Sequence, residues 1–442
     1  MTALLWLRRD LRVHDHPALE AARRDADALV PVFCFDDRLL HGRHASGPRT
    51  QFLLECLADL DKSLRKRGSG LVVRHGRPEQ ELPALARECG ARELHFSADV
   101  GPFARSRDAR VATAFDGLGV AVHEHPGTFA IDDLDAIRTG AGDPYTVFTP
   151  FHRAWIRGRR RATHGAPRSL APLPRGVQTG ALPRLGDLGL RQELEDPIPG
   201  GEGPARDAMN AFLAKRVHDY DDSRNMVAEP GSSRLSPYLH LGCLSPRELE
   251  HRLVAGAGAS AFRRQLCWRD FYAQVLLHFP QNARSEHQAR YRRTIRWSRA
   301  HKRFEAWCEG RTGYPLVDAG MRQLKREGWM HNRARLVVGS FLTKDLGIDW
   351  RWGERWFMRL LLDGDEASNN GNWQWIASVG VDPQPAFRRM FNPDRQQARF
   401  DPDGAYVREY VPELGRSPND YPNPIVDHGR ARREALARYR LD

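Results

Sequence analysis

Residues 4–19 read LLWLRRDLRVHDHPAL, and the fold follows from how this stretch changes its period. Residues 4–7 form an apolar run of strand length. The charged segment 8–16 breaks that run, and residues 17–24 open on proline and return at helical spacing. The same alternation repeats downstream. Strand-like runs fall at 29–35, 71–74, 93–96 and 121–123, with helical patterns at 50–67, 78–88 and 106–115 between them. Parallel neighbours need long crossover connections, so strands separated by helices predict a parallel sheet covered by helices.

Residues 1–130 therefore read as an α/β N-terminal domain with a parallel five-stranded Rossmann-like sheet, whose ligands bind beyond the carboxyl ends of the strands. Neither G-x-G-x-x-G nor G-x-x-x-x-G-K-[ST] occurs there, so a standard dinucleotide site and a P-loop are unsupported. Residues 131–203 read as an interdomain connector, Pro-, Gly- and Arg-rich from 158 onward and poor in secondary structure. From 204 to 442 the strand signals vanish and amphipathic helical patterns dominate, giving an all-α domain. That domain holds nine of the eleven tryptophans.

At 442 residues with 41% hydrophobic and 28% charged residues the chain reads as a soluble two-domain protein. No stretch reaches the 18 or so apolar residues of a membrane span, and the N-terminus lacks a signal-peptide pattern. The expected location is cytoplasmic. Six scattered cysteines without a C-x-x-C pair predict buried thiols and no metal site. A net charge of +12 favours a polyanionic partner.

The chemistry concentrates in the second half. Residues 220–236, YDDSRNMVAEPGSSRLS, put Ser232, Ser233 and Ser236 ahead of a helical run, where hydroxyls and backbone amides can cradle phosphate. Residues 310–335, GRTGYPLVDAGMRQLKREGWMHNRAR, and 363–375, DGDEASNNGNWQW, pack amides, acids, Arg and Trp at what read as helix ends. Such residues suit a ligand site better than a core.

These segments, with QLCWRDFY at 265–272, RRMFNP at 388–393 and FSADVGPFARSRD at 96–108, resemble the photolyase/cryptochrome family in order and over essentially the whole chain. The resemblance implies an all-α FAD-binding domain and blue-light-driven repair of cyclobutane pyrimidine dimers in DNA, by electron transfer from photoexcited reduced FAD to a flipped-out lesion. UV-damaged DNA is the expected partner, the protein acting as a nucleoid-associated monomer without an obligate protein partner.

Carried over position by position, Tyr220, Ser232, Ser233, Arg234, Leu235 and Ser236 match the diphosphate-binding loop. Arg335 and Asp363 match an ion pair beside the flavin ring. Asp365 matches an acid near ribose and ring, Asn369 the amide facing flavin N5, and Asn332 a residue shared by cofactor and lesion sites. Trp268 and Trp375 match two indoles that sandwich the lesion, which must leave the base stack for an apolar, π-rich pocket. Arg224, Arg269, Arg333 and Arg388 match phosphate-contacting residues. Trp373, Trp350 and Trp297 match an electron-hopping chain, while Trp307, Trp329, Trp352 and Trp356 read as packing. Arg9, Phe33, Asp36 and Asp99 resemble positions around a second, antenna chromophore, with deazaflavin favoured over folate.

Three positions depart from the commonest pattern. Gln265 stands where many dimer photolyases carry Glu, Leu336 where Met is usual, and an extra residue in PAFRRMFNP makes Arg388 and Arg389 compete for one role. Gln265 keeps a (6-4) photolyase or a cryptochrome light sensor as alternatives. Asn332 after His331, where (6-4) enzymes place a second His, favours the cyclobutane dimer.

Overall fold

In a computed structural model of the chain, residues 1–382, 384–416 and 420–439 are described. Five strands form one sheet: β1 (Thr2–Leu7), β2 (Ala28–Phe35), β3 (Val72–His75), β4 (Ala91–Ser97) and β5 (Ala121–His125). Every pairing is parallel and the order is β3-β2-β1-β4-β5. The central strand β1 is apolar on both faces because both are covered. Ala3, Leu5 and Leu7 pack toward helix Gly47–Arg65, and Leu4 and Trp6 toward helices Pro78–Cys89 and Pro102–Phe115.

This order reverses direction between β1 and β4, which opens a crevice beyond their carboxyl ends. Arg9 follows β1 and Asp99 follows β4, so the switch point is lined by an opposite-charge pair, 3.4 Å apart.

The segment after the sheet is packed along its length. Val73 donates its backbone N–H to Thr179 O (2.7 Å) and Leu29 to Pro172 O (3.2 Å). Helix Phe148–Arg157 lies within the stretch read as connector, and its Phe148, Phe151 and Trp155 join a core with helix Ala257–His278. Asp270 of the latter helix accepts from Trp155 Nε1 (2.9 Å) and from the backbone of Ile131 (3.2 Å). Burial pushes its carboxyl up to about 6.

From Glu202 onward the described residues are helices and loops. Helices Ala257–His278 and Glu366–Ile376 cross where Gly371 meets the Tyr272 ring, so closely that a Cβ at 371 would collide with it. Helix Trp350–Leu360 approaches through Gly353, where a side chain would occupy the place of the Trp373 ring. Two glycines thus set the spacing of three helices around one hollow. No helix among the described residues is long and apolar enough to cross a membrane.

Candidate active site

Helix Ala257–His278 presents Gln265, Trp268, Arg269 and Tyr272 to that hollow, and helix Glu366–Ile376 presents Asn369, Asn372, Trp373 and Ile376. Both sets follow i, i+3, i+4, i+7 spacing, so each is one stripe of its helix. The cavity between them measures about 400 Å³.

One wall is the loop before helix Ser236–His240. Tyr220, Ser232, Ser233, Arg234, Leu235 and Ser236 all line the cavity. Arg234 is a non-glycine residue at φ +54°, followed by Leu235 at φ −84°, ψ −6°. A left-handed residue beside a right-handed one turns successive backbone N–H groups toward a common point, an arrangement that binds anions. The Arg234 side chain secures the strained backbone by pairing with Glu327 and lying over the Trp329 ring, 4.4 Å from its centroid.

The opposite wall carries the charges. Arg335 forks onto Asp363 through two bonds of 3.1 and 2.8 Å and donates from Nε to Met330 O. Asp365 caps helix Glu366–Ile376 by accepting from Ser368 N (2.8 Å) and is ion-paired with Arg9. Burial alone would push its carboxyl up, but Arg9, with His240 and Arg269, holds it below the usual carboxylate range. His240 Nδ1 is buried beside these groups without a hydrogen-bond partner.

Asn369 has one settled end. Its Nδ2 donates to Glu354 O (3.0 Å), which leaves Oδ1 as the free acceptor of a cavity-lining amide. Gln265 makes no side-chain hydrogen bond to a described residue and lines the same cavity, as does Asn332. Trp268 stacks face to face on Phe148 with centroids 3.6 Å apart, and Trp375 lines the same cavity.

Of the three chain tryptophans, only Trp373 lines the cavity. Trp350 is fully buried and Trp297 half-buried, all three in one aromatic-rich core. Trp307, read as packing, also meets Trp373 edge-on at 6.2 Å. Arg224, Arg333 and Arg388 lie outside the cavity lining. Arg333 donates to Asn225 Oδ1 (2.7 Å) and lies over Phe400, and exposed Arg388 donates to Gln384. Arg389 is buried instead, so of the two only Arg388 keeps an exposed guanidinium.

Arg269 lines the first cavity while its guanidinium donates inward to Thr128 O (2.7 Å) and Leu239 O (3.2 Å) and faces Asp365, at the joint between sheet and helices. Arg9, Phe33 and Asp99 line a second cavity of about 860 Å³, but Asp36 does not. It caps helix Asp37–Leu40 and grips Arg38 (2.8 and 2.7 Å), and Arg38 is the residue on the cavity wall. Arg38, Arg43, Arg49, Arg107 and Arg110 on that wall were missed, because arginines spread over 73 residues carry no local pattern. His240 and Asp365 line both cavities, and Arg9, bonded to both residues, lines the second.

Two parallel family matches agree with this two-cavity plan. Residues 3–173 match the family described as DNA photolyase, and residues 262–420 the FAD binding domain of DNA photolyase. The chain belongs to the DNA photolyase family.

Its relatives span it from end to end. The deoxyribodipyrimidine photo-lyase of Streptomyces griseus is 42% identical, with 97% of each chain covered. That of Halobacterium salinarum is 41% identical over 99% of this chain and 98% of its own. A class III photolyase from Agrobacterium tumefaciens superposes with a TM-score of 0.92 at 35% identity, covering 99% of this chain and 97% of that one. An archaeal photolyase from Sulfolobus tokodaii with two FAD molecules gives 0.87 at 31% identity, with 99% of each chain covered. This photolyase is thus a lyase with an FAD-binding helical domain. The cavity residues fit that cofactor. The backbone turn at Arg234–Leu235 suits a diphosphate, and the unpartnered His240 Nδ1 and Asn369 Oδ1 are polar atoms that a bound ligand would satisfy.

Proposed function

We propose that this photolyase repairs cyclobutane pyrimidine dimers in DNA under blue light, with reduced FAD in the first cavity. When bound, the cofactor contributes light-driven transfer of one electron to the lesion and its recovery. The chain's part is binding, orientation and charge. Tyr220, Ser232, Ser233, Arg234, Leu235 and Ser236 hold the diphosphate, Arg335 and Asp363 flank the ring system, and Asp365 reaches the ribose.

The observation that carries the reading is the direction of Asn369. With Nδ2 committed to Glu354 O, its Oδ1 can only accept, which suits the N5–H present in the reduced flavin and absent from the oxidised one. An enzyme that needs its cofactor reduced gains from that asymmetry.

Trp268 and Trp375 take the flipped-out dimer between them, Gln265 and Asn332 hydrogen-bond it, and Arg224, Arg333 and Arg388 contact phosphates. Trp373, Trp350 and Trp297 conduct electrons inward to restore reduced cofactor. The second cavity takes an antenna chromophore, favoured as a deazaflavin. Its arginine-rich wall suits an aromatic with an anionic tail. Functional units run over 1–130, 131–203 and 204–442, and the chain acts as a cytoplasmic, nucleoid-associated monomer.

Blue-light repair of an oligonucleotide carrying a single cyclobutane dimer tests the reading, with a (6-4) lesion as the parallel substrate. Preferential repair of the (6-4) lesion, or repair of neither by reduced enzyme, would refute it. Extraction of the second chromophore and its absorption spectrum decide the antenna.

A further inference from the structure

Neither cavity uses the edge of the sheet, where four side chains of chelating type meet. Parallel pairing of β4 with β5 sets His95 opposite His123 and Ser97 opposite His125. Side chains alternate along a strand, so Glu93 and His95 share one face of β4, and His123 and His125 the same face of β5. The outcome is a compact array. The His95 ring stacks on His123 with centroids 4.8 Å apart and on His125 at 5.1 Å. Glu93 Oε2 is 2.9 Å from His95 Nε2 and Glu93 Oε1 is 4.0 Å from His123 Nε2.

We propose that Glu93, His95 and His123 bind one divalent transition-metal ion of the zinc class on the sheet edge. Two imidazoles and one carboxylate are a common donor set for such an ion, with water completing the coordination. One ligand atom from each residue lies within 4.8 Å of the others. Coordination at roughly 2.0–2.2 Å needs them somewhat closer. His123 can supply the movement, since it stands on the edge strand with 43% of its side chain exposed. It makes no side-chain hydrogen bond to a described residue, so its ring is not spent elsewhere.

A second shell is already built. His95 Nδ1 lies 2.9 Å from His125 Nε2. A metal on His95 Nε2 leaves the proton on Nδ1, which then donates to His125, as metal-bound imidazoles commonly donate to a neighbour that fixes their orientation. A bare histidine stack would need no carboxylate at its mouth. Sequence spacing could not reveal the set, because only strand pairing joins residues 93 and 95 to 123.

The test is calorimetric titration of tag-free, chelator-treated, FAD-loaded protein with Zn²⁺ alone at neutral pH. Wild type is expected to take up one more equivalent than His123→Gln, and His125→Ala to bind it roughly tenfold more weakly, as outer-sphere losses do. FAD content and dimer repair stay unchanged in both variants and report intact folding. Should His123→Gln lose FAD, Glu93→Gln replaces it. Equal uptake by wild type and the ligand variants, or no uptake by wild type, overturns the proposal.

Discussion

Arg389 lies over the Trp375 ring, 4.2 Å from its centroid, and donates to that residue's own carbonyl oxygen at 2.9 Å. Its other arm pairs with Asp382. The guanidinium thus clamps ring and backbone of one cavity-lining indole, while Arg388 beside it stays exposed.

The two arginines should therefore separate in DNA binding. Arg389→Ala is expected to weaken binding of dimer-containing duplex by about 1–2 kcal/mol, the scale of a desolvated cation–π contact, with the salt dependence unchanged. Arg388→Ala should flatten the slope of log K against log salt by about 0.9, one phosphate contact. Fluorescence anisotropy over a salt series measures both. Equal slope loss in the two variants would mean that Arg389 also reaches the backbone.

Trp373→Phe keeps an aromatic ring in the slot formed by Gly353 and by Phe357, whose ring centroid lies 5.0 Å away, and loses only the readily oxidised indole. Photoreduction of oxidised flavin is expected nearly to stop, while chemically reduced enzyme still repairs dimers. Because Trp373 is the one of the three chain tryptophans that lines the cavity and Trp307 meets it edge-on, the variant interrupts every route entering through that ring. Flavin absorbance under blue light with an external donor is the readout, and unimpaired photoreduction would require entry elsewhere.

Glu366 gives a pH dependence of stability. Burial, then the neighbouring carboxylates Asp365, Glu354 and Asp99, push it up to about 7. The folded state therefore keeps a proton that the unfolded chain releases near its ordinary value of about 4.3. Stability from this group is complete below that value and is lost as pH rises toward 7, at on the order of 1 kcal/mol per pH unit in between. Glu366→Gln should remove that component. Urea unfolding of both proteins from pH 5 to 8 checks it, and parallel curves would place the titration on another group.

The sheet was legible because each strand run and each helix period is local, and all five strand runs appear in the structure. The segments around 265–272 and 363–375 were legible for a different reason: amides and acids at helix ends have no use in a core. What stayed hidden was long-range or conformational. Arg9 meets Asp365 across 356 residues of sequence, and no periodicity links them. Arg269 carries the same side chain as Arg388, yet one is bonded inward and the other exposed, and only burial separates those fates. The left-handed backbone at Arg234 was equally unreadable, since neither glycine nor asparagine marks it.

Gln265 offers the sharpest test of how the lesion is handled. It lines the first cavity from helix Ala257–His278, one turn before Trp268, and its amide bonds to no described residue. A side chain here speeds dimer splitting only if it favours the pyrimidine radical anion over the neutral dimer. A glutamic acid would do so by donating a proton-bearing bond, and only while burial keeps it protonated. The Gln265 amide donates through NH₂ at every pH and carries no charge to repel an electron, but it cannot give up a proton. Repair by the native enzyme is therefore expected to show no titration from this position, and Gln265→Glu to introduce one that lowers repair on the alkaline side. Gln265→Ala should cost about 1–3 kcal/mol by leaving a buried lesion carbonyl unpaired. Repair quantum yield and dimer affinity for the three proteins from pH 6 to 9 measure these effects. An alanine variant equal to native in both quantities would make Gln265 a bystander on the cavity wall.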